Sequence, residues 1–299
     1  MARDVISFTG NLFLQTTQLH LEVRHMILLV HSARDIAGVN IVKHVLQQYP
    51  FNETSQRFQE NPVYHTEISG KQVEFVTLKE EAVNAQTLPE NFPNAQLIVF
   101  LSRHSSQSGT PTLSVHTPGN LDNAELGGLP RSVSVSPANA MQTALKALSR
   151  LKREMNLNYE VSYEGTHHGP SLLVPTMFVE LGSGEMQWRD QMAAAAVARA
   201  AMEAVADFGK VVCPAVLGIG GTHYNSKFTH MALDGEVAFG HMIPKYAIQN
   251  VDSGVLAQCV KRTHEPVDSA VLDWKGIKSE DKPGLLSMLQ EIGLSIKKV

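Results

Sequence analysis

Short apolar runs alternate with segments of helical periodicity over most of the chain. Met26-Ile-Leu-Leu-Val-His31 reads as a buried strand, and Ile36, Val39, Val42 and Leu46 then recur at helical spacing as far as Tyr49, with Asp35 as the cap and Pro50 as the stop. Val73–Leu78, Leu97–Leu101 and Leu113–His116 are β-branched or apolar runs between turn residues, which predicts three more strands. The polar, Gly- and Pro-rich passage from Thr117 to Pro137 predicts a long surface loop, a length that is often functional. Ala138–Met155 predicts a helix, and Tyr159–Glu164 and Pro175–Leu181 predict strands on either side of a polar loop. Glu185–Phe208 reads as the longest helix, its alanines suited to close packing on a sheet. A strand at Pro214–Ile219, a short helix at 225–233, a strand at Val237–His241 and helices at 253–262 and 284–293 complete the pattern.

Strands alternating with helices predict a three-layer α/β/α sandwich. Some strands follow one another directly, so the sheet should be mixed rather than all parallel. No linker or internal repeat divides the chain, which predicts a single domain over 26–299. Residues 1–25 read as an N-terminal extension of uncertain status: Asp4, Glu22 and the lack of a basic start argue against a signal or transit peptide.

Composition narrows the function classes only slightly. The chain has 299 residues, of which 43% are apolar and 18% charged, and its net charge is −4. A general polyanion binder would be basic, so any contact with nucleic acid has to come from a local patch. Two cysteines, Cys213 and Cys259, form neither a disulfide framework nor a zinc module, and a reducing, cytoplasmic setting fits them. No run approaches the roughly 20 apolar residues that cross a bilayer. Histidine stands out, at 13 residues.

The positions of those histidines carry the chemistry. His104, His116, the His167-His168 doublet, His223 and His241 all fall at or just beyond predicted strand ends, where open α/β sheets place their sites. Neutral imidazole is the commonest protein ligand for zinc, and carboxylates join it, so Glu164 or Glu180 can complete a centre as ligand or as base. A lone strand-end histidine is ordinarily a hydrogen-bonded loop residue; five such loops favour a metal. Adjacent residues of a regular strand point to opposite faces, so His167 and His168 share a centre only where the backbone bends. No HExxH, CxxC or GxSxG signature is present.

Gly218-Ile-Gly220-Gly221-Thr222 offers a second element, a turn whose backbone amides could cradle an oxyanion. Lys146, Arg150 and Arg153 share one face of helix 138–155, which is ordinarily a solvated face and is also the kind of patch that an RNA-binding enzyme of mild negative charge needs. Arg103, Lys227 and Lys245 lie nearer the histidine loops and could meet a terminal phosphate.

Four motifs together resemble the zinc-dependent D-aminoacyl-tRNA deacylases of the archaeal and plant type. They are Ser102-Arg103-His104-Ser105, Val115-His116-Thr117-Pro118-Gly119-Asn120, Tyr163-Glu164-Gly165-Thr166-His167-His168-Gly169-Pro170 and Gly218-Ile-Gly-Gly-Thr-His223-Tyr224. The resemblance runs in order from about Met26 to the C-terminus. It implies a phosphorylase/hydrolase-like fold, zinc as cofactor, tRNA charged with a D-amino acid as substrate, and hydrolysis of the ester by metal-activated water.

On this reading His104, His116, His167, His223 and Glu180 are the expected metal ligands, and Glu164, His168 and His223 the expected catalytic groups. Gly220, Gly221 and Thr222 are the expected oxyanion donors, and the protein is expected to be a cytoplasmic monomer. Two rivals remain open from sequence: a zinc amidohydrolase or exopeptidase acting on small acylated molecules, and a non-catalytic tRNA-binding protein.

Overall fold

The structure, a computed structural model, describes residues 26–299, so the expected extension at 1–25 lies outside the described residues. The chain opens with β1 (Met26–Ser32), buried along its whole length. Helix α1 (Ile36–Gln48) follows, with the Asp35 carboxylate accepting from the Gly38 amide at 3.0 Å as its N-cap.

Next come β2 (Asn52–Phe58), β3 (Asn61–Ile68) and β4 (Lys71–Leu78). The sequence pattern marks only the last of these, and the reason is physical. In β2 most side chains are polar and exposed, so its strand conformation comes from antiparallel pairing with β3 and leaves no apolar period. Both hairpin turns hold two residues at positive φ, Gln59-Glu60 (49° and 67°) and Ser69-Gly70 (51° and 76°). Gln-Glu lacks the Asn-Gly or Asp-Gly chemistry by which such turns are recognised.

Beyond a short helix α2 (Leu88–Asn91) run β5 (Ala95–Arg103) and β6 (Thr112–His116). The expected loop 117–137 is clasped at its base by a two-stranded ladder, β7 (Gly119–Asn120) with β8 (Ser132–Val133). Helix α3 (Ala138–Glu154), β9 (Glu160–Tyr163) and β10 (Thr176–Gly182) stand where the pattern puts them. The long helix expected at 185–208 is interrupted. It forms α4 (Glu185–Trp188) and α5 (Gln191–Asp207), because Asp190 leaves helical conformation and accepts from the Met192 and Ala193 amides as a fresh N-cap.

The last third contributes β11 (Ala215–Ile219), α6 (Ser226–Leu233), β12 (Ala238–Ile243), α7 (Ser253–Lys261), β13 (Val267–Leu272), α8 (Lys282–Glu291) and β14 (Ser295–Lys298). Neither β13 nor β14 is marked by the sequence pattern. β14 is exposed throughout, and β13 carries Asp268 and Ser269 in its outer half.

The main sheet is mixed, as expected, with order β2-β3-β4-β1-β5-β10-β6-β9. β4, β1, β5 and β10 are parallel neighbours, whereas β6 runs antiparallel to β10 and β9 runs parallel to β6. Alternate residues separate two cores. Ile27, Leu29, Val99, Leu101 and Val179 pack against α1, α3 and α5, while Leu28, Val30, Phe100 and Phe178 pack on the opposite face. A second, all-parallel sheet, β12-β11-β13-β14, adds a layer on the far side of α3, with α7 and α8 over its outer core.

Candidate active site

The reversal at β6 decides where the site forms. Because β6 and β9 run against β5 and β10, their ends do not open on one edge. The chemistry meets instead over the face of the sheet turned away from α1, α3 and α5. His116 pairs with Phe178, and Ser114 pairs with Glu180. Val115 and Val179, their alternates, lie in the helix-side core. The His116 ring stacks on Phe178 at 5.0 Å and 10°. Glu164, one residue beyond β9, takes the opposite face from buried Tyr163 and bridges to Tyr224 of the second sheet's loop.

Glu164 and Glu180 are both buried, a costly arrangement for two carboxylates unless cations answer them. His104 does so: its Nδ1 lies 3.1 Å from Glu164 Oε1 and 3.5 Å from Glu180 Oε2. Burial pushes the His104 imidazole down, but the two carboxylates outweigh it and carry its pKa up to about 11. Its Nε2 meets the Tyr224 hydroxyl, and the Ser102 hydroxyl donates to Glu180 Oε1 at 2.6 Å. Burial favours protonated carboxyls, yet His104 with His223 holds Glu164 well below the usual carboxylate range. His104 with His116 does the same for Glu180.

His167 and His168 are prepared differently. Nδ1–H of His167 donates to the Gly165 carbonyl at 2.8 Å, and Nδ1–H of His168 donates to the Gly169 carbonyl at 2.7 Å. Each bond fixes one tautomer and leaves Nε2 with a free lone pair, the arrangement of metal-ligating imidazoles. Burial, then the neighbouring imidazoles, push both rings toward the neutral form, His168 to a pKa of about 4. His168 has φ of 43°, and this bend brings the two rings together at 4.2 Å between centroids. His116 is fully buried with neither ring nitrogen hydrogen-bonded, although Glu180 Oε2 stands 3.7 Å from its Nε2. An orphaned buried imidazole costs about 1–3 kcal/mol unless something else binds it.

Three groups of donor atoms lie within 4.8 Å of one another: His116, His167 and His168; Glu164, His167 and His223; and His104, Glu164 and Glu180. Each could hold a metal ion. His167 and Glu164 each belong to two of them. His223 Nε2 lies 3.0 Å from Glu164 Oε2, and its Nδ1 lies 3.1 Å from the Tyr246 hydroxyl. Beside this constellation opens a cavity of about 260 Å³, lined by His167, His168, Asn120, Leu121, Leu126 and Tyr246 among others.

The structure thus brings together His104, His116, Glu164, His167, His168, Glu180 and His223. Other expected residues make bonds of their own. The Gly220 amide, expected as an oxyanion donor, already donates to the Ile243 carbonyl at 2.8 Å. The Gly220 and Gly221 carbonyls accept from Asn225 Nδ2 and the Lys245 amide, and the Thr222 hydroxyl donates to the Tyr224 carbonyl. With φ of 105° and 74°, the two glycines shape the turn that carries His223. His241 is a satisfied core residue: its Nε2–H faces the Ser134 and Arg262 carbonyls at 3.1 Å and its Nδ1 accepts from the Thr166 hydroxyl.

The basic residues also divide. On α3, Arg150 donates to Glu154 and to Glu203 of α5, so its charge is answered twice, while Lys146 and Arg153 make no ion pair among the described residues. Lys227 is paired with Asp273 and Arg103 with Glu81, whereas Lys245 is exposed and makes no ion pair among the described residues. Sequence reasoning gave no role to Ser102, Tyr224 or Tyr246. The first two lie inside quoted motifs, but nothing in the sequence shows which way a hydroxyl points.

Comparison with known proteins adds three findings. A family model described as D-aminoacyl-tRNA deacylase matches residues 91–297. Curated relatives called D-aminoacyl-tRNA deacylase include one from Pyrococcus abyssi, 35% identical over 88% of this chain and 96% of the relative. Others come from Pyrococcus horikoshii, 36% identical over 88% and 96%, and from Methanosarcina barkeri, 33% identical over 91% and 89%. A crystal structure of a conserved protein of unknown function superposes with a TM-score of 0.82 at 29% identity, covering 92% of this chain and 95% of the other.

Proposed function

The chain belongs to the D-aminoacyl-tRNA deacylase family, and we infer from that premise that it does what its relatives are named for. It hydrolyses the ester joining a D-amino acid to the terminal ribose of tRNA and releases free tRNA and the D-amino acid. Among the described residues no helix is long and apolar enough to cross a membrane. A tRNA substrate fits a cytoplasmic enzyme, and on this reading the protein acts as a monomer.

The metal is zinc on this reading, held by the His116, His167 and His168 imidazoles with Glu164 and His223 adjoining. One observation carries it: two of those imidazoles are tautomerically fixed with Nε2 free, and the third is buried with no hydrogen bond at all. Nitrogen donors of this kind suit zinc rather than the oxygen-seeking magnesium or calcium. Zinc there would lower the pKa of water and polarise the ester carbonyl.

The chain's own groups then divide the work. Glu164 Oε2 accepts the proton of the attacking water and returns it to the ribose oxygen as the C–O bond breaks. His223, 3.0 Å away, holds that oxygen of the carboxylate in place. Protonated His104 keeps Glu164 ionised, so the base form is present throughout the neutral range. The Gly220 amide is committed to Ile243 and so is not open to the developing oxyanion, which a bound cation would answer.

The test is hydrolysis of matched D- and L-aminoacyl-tRNA before and after chelation. The expected result is turnover selective for the D form, abolished by chelator and restored by zinc. Equal rates on both enantiomers would overturn the deacylase reading, and undiminished activity after complete metal removal would overturn the zinc. Activity on N-acyl amino acids with indifference to tRNA would identify an amidohydrolase instead.

A further inference from the structure

Among the described residues Tyr246 is the one large aromatic residue lining the cavity, and it is 61% exposed. It sits on the 3-10 helix Lys245–Asn250, whose Ala247 and Ile248 are buried in the second sheet's core while Lys245 and Tyr246 face outward. This helix is fixed to the site at two points. Pro244, just before it, packs on Gly165, where an added Cβ would meet the proline ring at 3.0 Å. The Lys245 amide donates to the Gly221 carbonyl at 2.9 Å. The Tyr246 hydroxyl is held 3.1 Å from His223 Nδ1, with the two rings inclined at 28°. Its hydroxyl is therefore satisfied and its orientation set, while the ring remains largely in water. Lys245 beside it makes no ion pair among the described residues.

An exposed, oriented aromatic ring next to an unanswered ammonium is the combination that binds single-stranded nucleic acid: the ring stacks on a base and the cation meets the backbone. The substrate class proposed above ends in an unpaired adenosine whose ribose bears the scissile ester, so a base has to rest within one nucleotide of the reacting carbon. We propose that Tyr246 is the stacking platform for the 3′-terminal adenine of tRNA, with Lys245 meeting the phosphate on its 5′ side. This rests on the deacylase reading for the identity of the nucleic acid. It gives Tyr246 two separable parts: the ring binds the base, and the hydroxyl positions His223.

Binding tests the ring independently of turnover. The full-length protein is titrated with labelled uncharged tRNA and with the same tRNA lacking its terminal adenosine. Wild type should prefer the intact form by roughly 5- to 150-fold, the range of one base–aromatic stack. Tyr246→Ala should bind both forms alike. Tyr246→Phe should keep the preference, because it keeps the ring. Lys245→Ala should weaken both forms together and flatten the dependence on salt. Equal binding of the two tRNAs by wild type overturns the proposal, as does a preference that survives in Tyr246→Ala. Loss of the preference in Tyr246→Phe as well would assign it to the hydroxyl and also overturn stacking. Failure of the deacylase reading would show separately, as wild type without D-selective turnover, and would leave the binding comparison readable.

Discussion

His167 and His168, neighbours in sequence, present their rings on one side of the chain at 4.2 Å because His168 adopts a left-handed backbone with φ of 43°. On a regular strand they would face apart. Only the bend lets both contribute to the group they form with His116. His167 belongs to two donor groups and His168 to one. His167→Ala should therefore lose more metal, measured by elemental analysis, and lose rate by more than the roughly 10- to 100-fold typical of outer-shell partners. His168→Ala should lose metal less completely. Full metal content in both variants would remove the doublet from the centre.

Glu164 is the proposed proton acceptor, and Glu180 is tied down by the Ser102 hydroxyl as well as by His104. Glu164→Gln keeps the shape and removes the basic oxygen, so kcat should fall roughly 10²- to 10⁴-fold with the fold intact. A variant that retains near-normal kcat on D-aminoacyl-tRNA would exclude Glu164 as the base.

Gly220→Ala separates shape from chemistry. At φ of 105° any side chain is strained, and the new Cβ would lie 3.0 Å from the Asp273 carbonyl oxygen. A loss of about 1–3 kcal/mol is expected in denaturant melts. Since the amide is already bonded to Ile243, activity per correctly folded molecule should change much less than stability. A folded variant with kcat reduced a hundredfold would return this turn to the oxyanion site.

His241 makes acid stability testable. Burial lowers its pKa from the usual 6.5 to about 4, against the raising effect of the carbonyls at its Nε2. As pH falls the unfolded chain takes up this proton first, so the stability His241 contributes is whole above about pH 6.5. It is lost as pH drops through 4, on the order of 3 kcal/mol in all. His241→Gln should therefore show a shallower fall in Tm between pH 6.5 and 4 than wild type. Parallel curves would mean that the imidazole is not buried in its neutral form.

What could be read from the sequence follows the strength of each local signal. Buried strands such as β1 and β10 announce themselves as apolar runs, and helix α1 by period and cap. β2 does not, because pairing rather than burial holds it and its turn is Gln-Glu. The break at Asp190 is a capping event inside an otherwise helical run. At the site, residue type was enough to single out the histidines and Glu164. It could not reveal that the Gly220 amide is consumed, that His241 is satisfied by two carbonyls, or that Tyr246 reaches His223 from outside every motif. Those facts depend on which way one atom points after two sheets have come together.

The stitching of the Glu164–His168 loop to the second sheet also bears on synthesis. The Gly165 amide donates to the His223 carbonyl and the Thr166 amide to the Met242 carbonyl. A chain emerging from the ribosome carries His104, His116, Glu164, His167, His168 and Glu180 long before it carries these two partners. It holds most of the site's side chains and lacks the contacts that align them. The loop that bears Glu164, His167 and His168 is therefore fixed only once β11 and β12 have been made and docked, so the site is a product of the whole fold rather than of the main sheet alone.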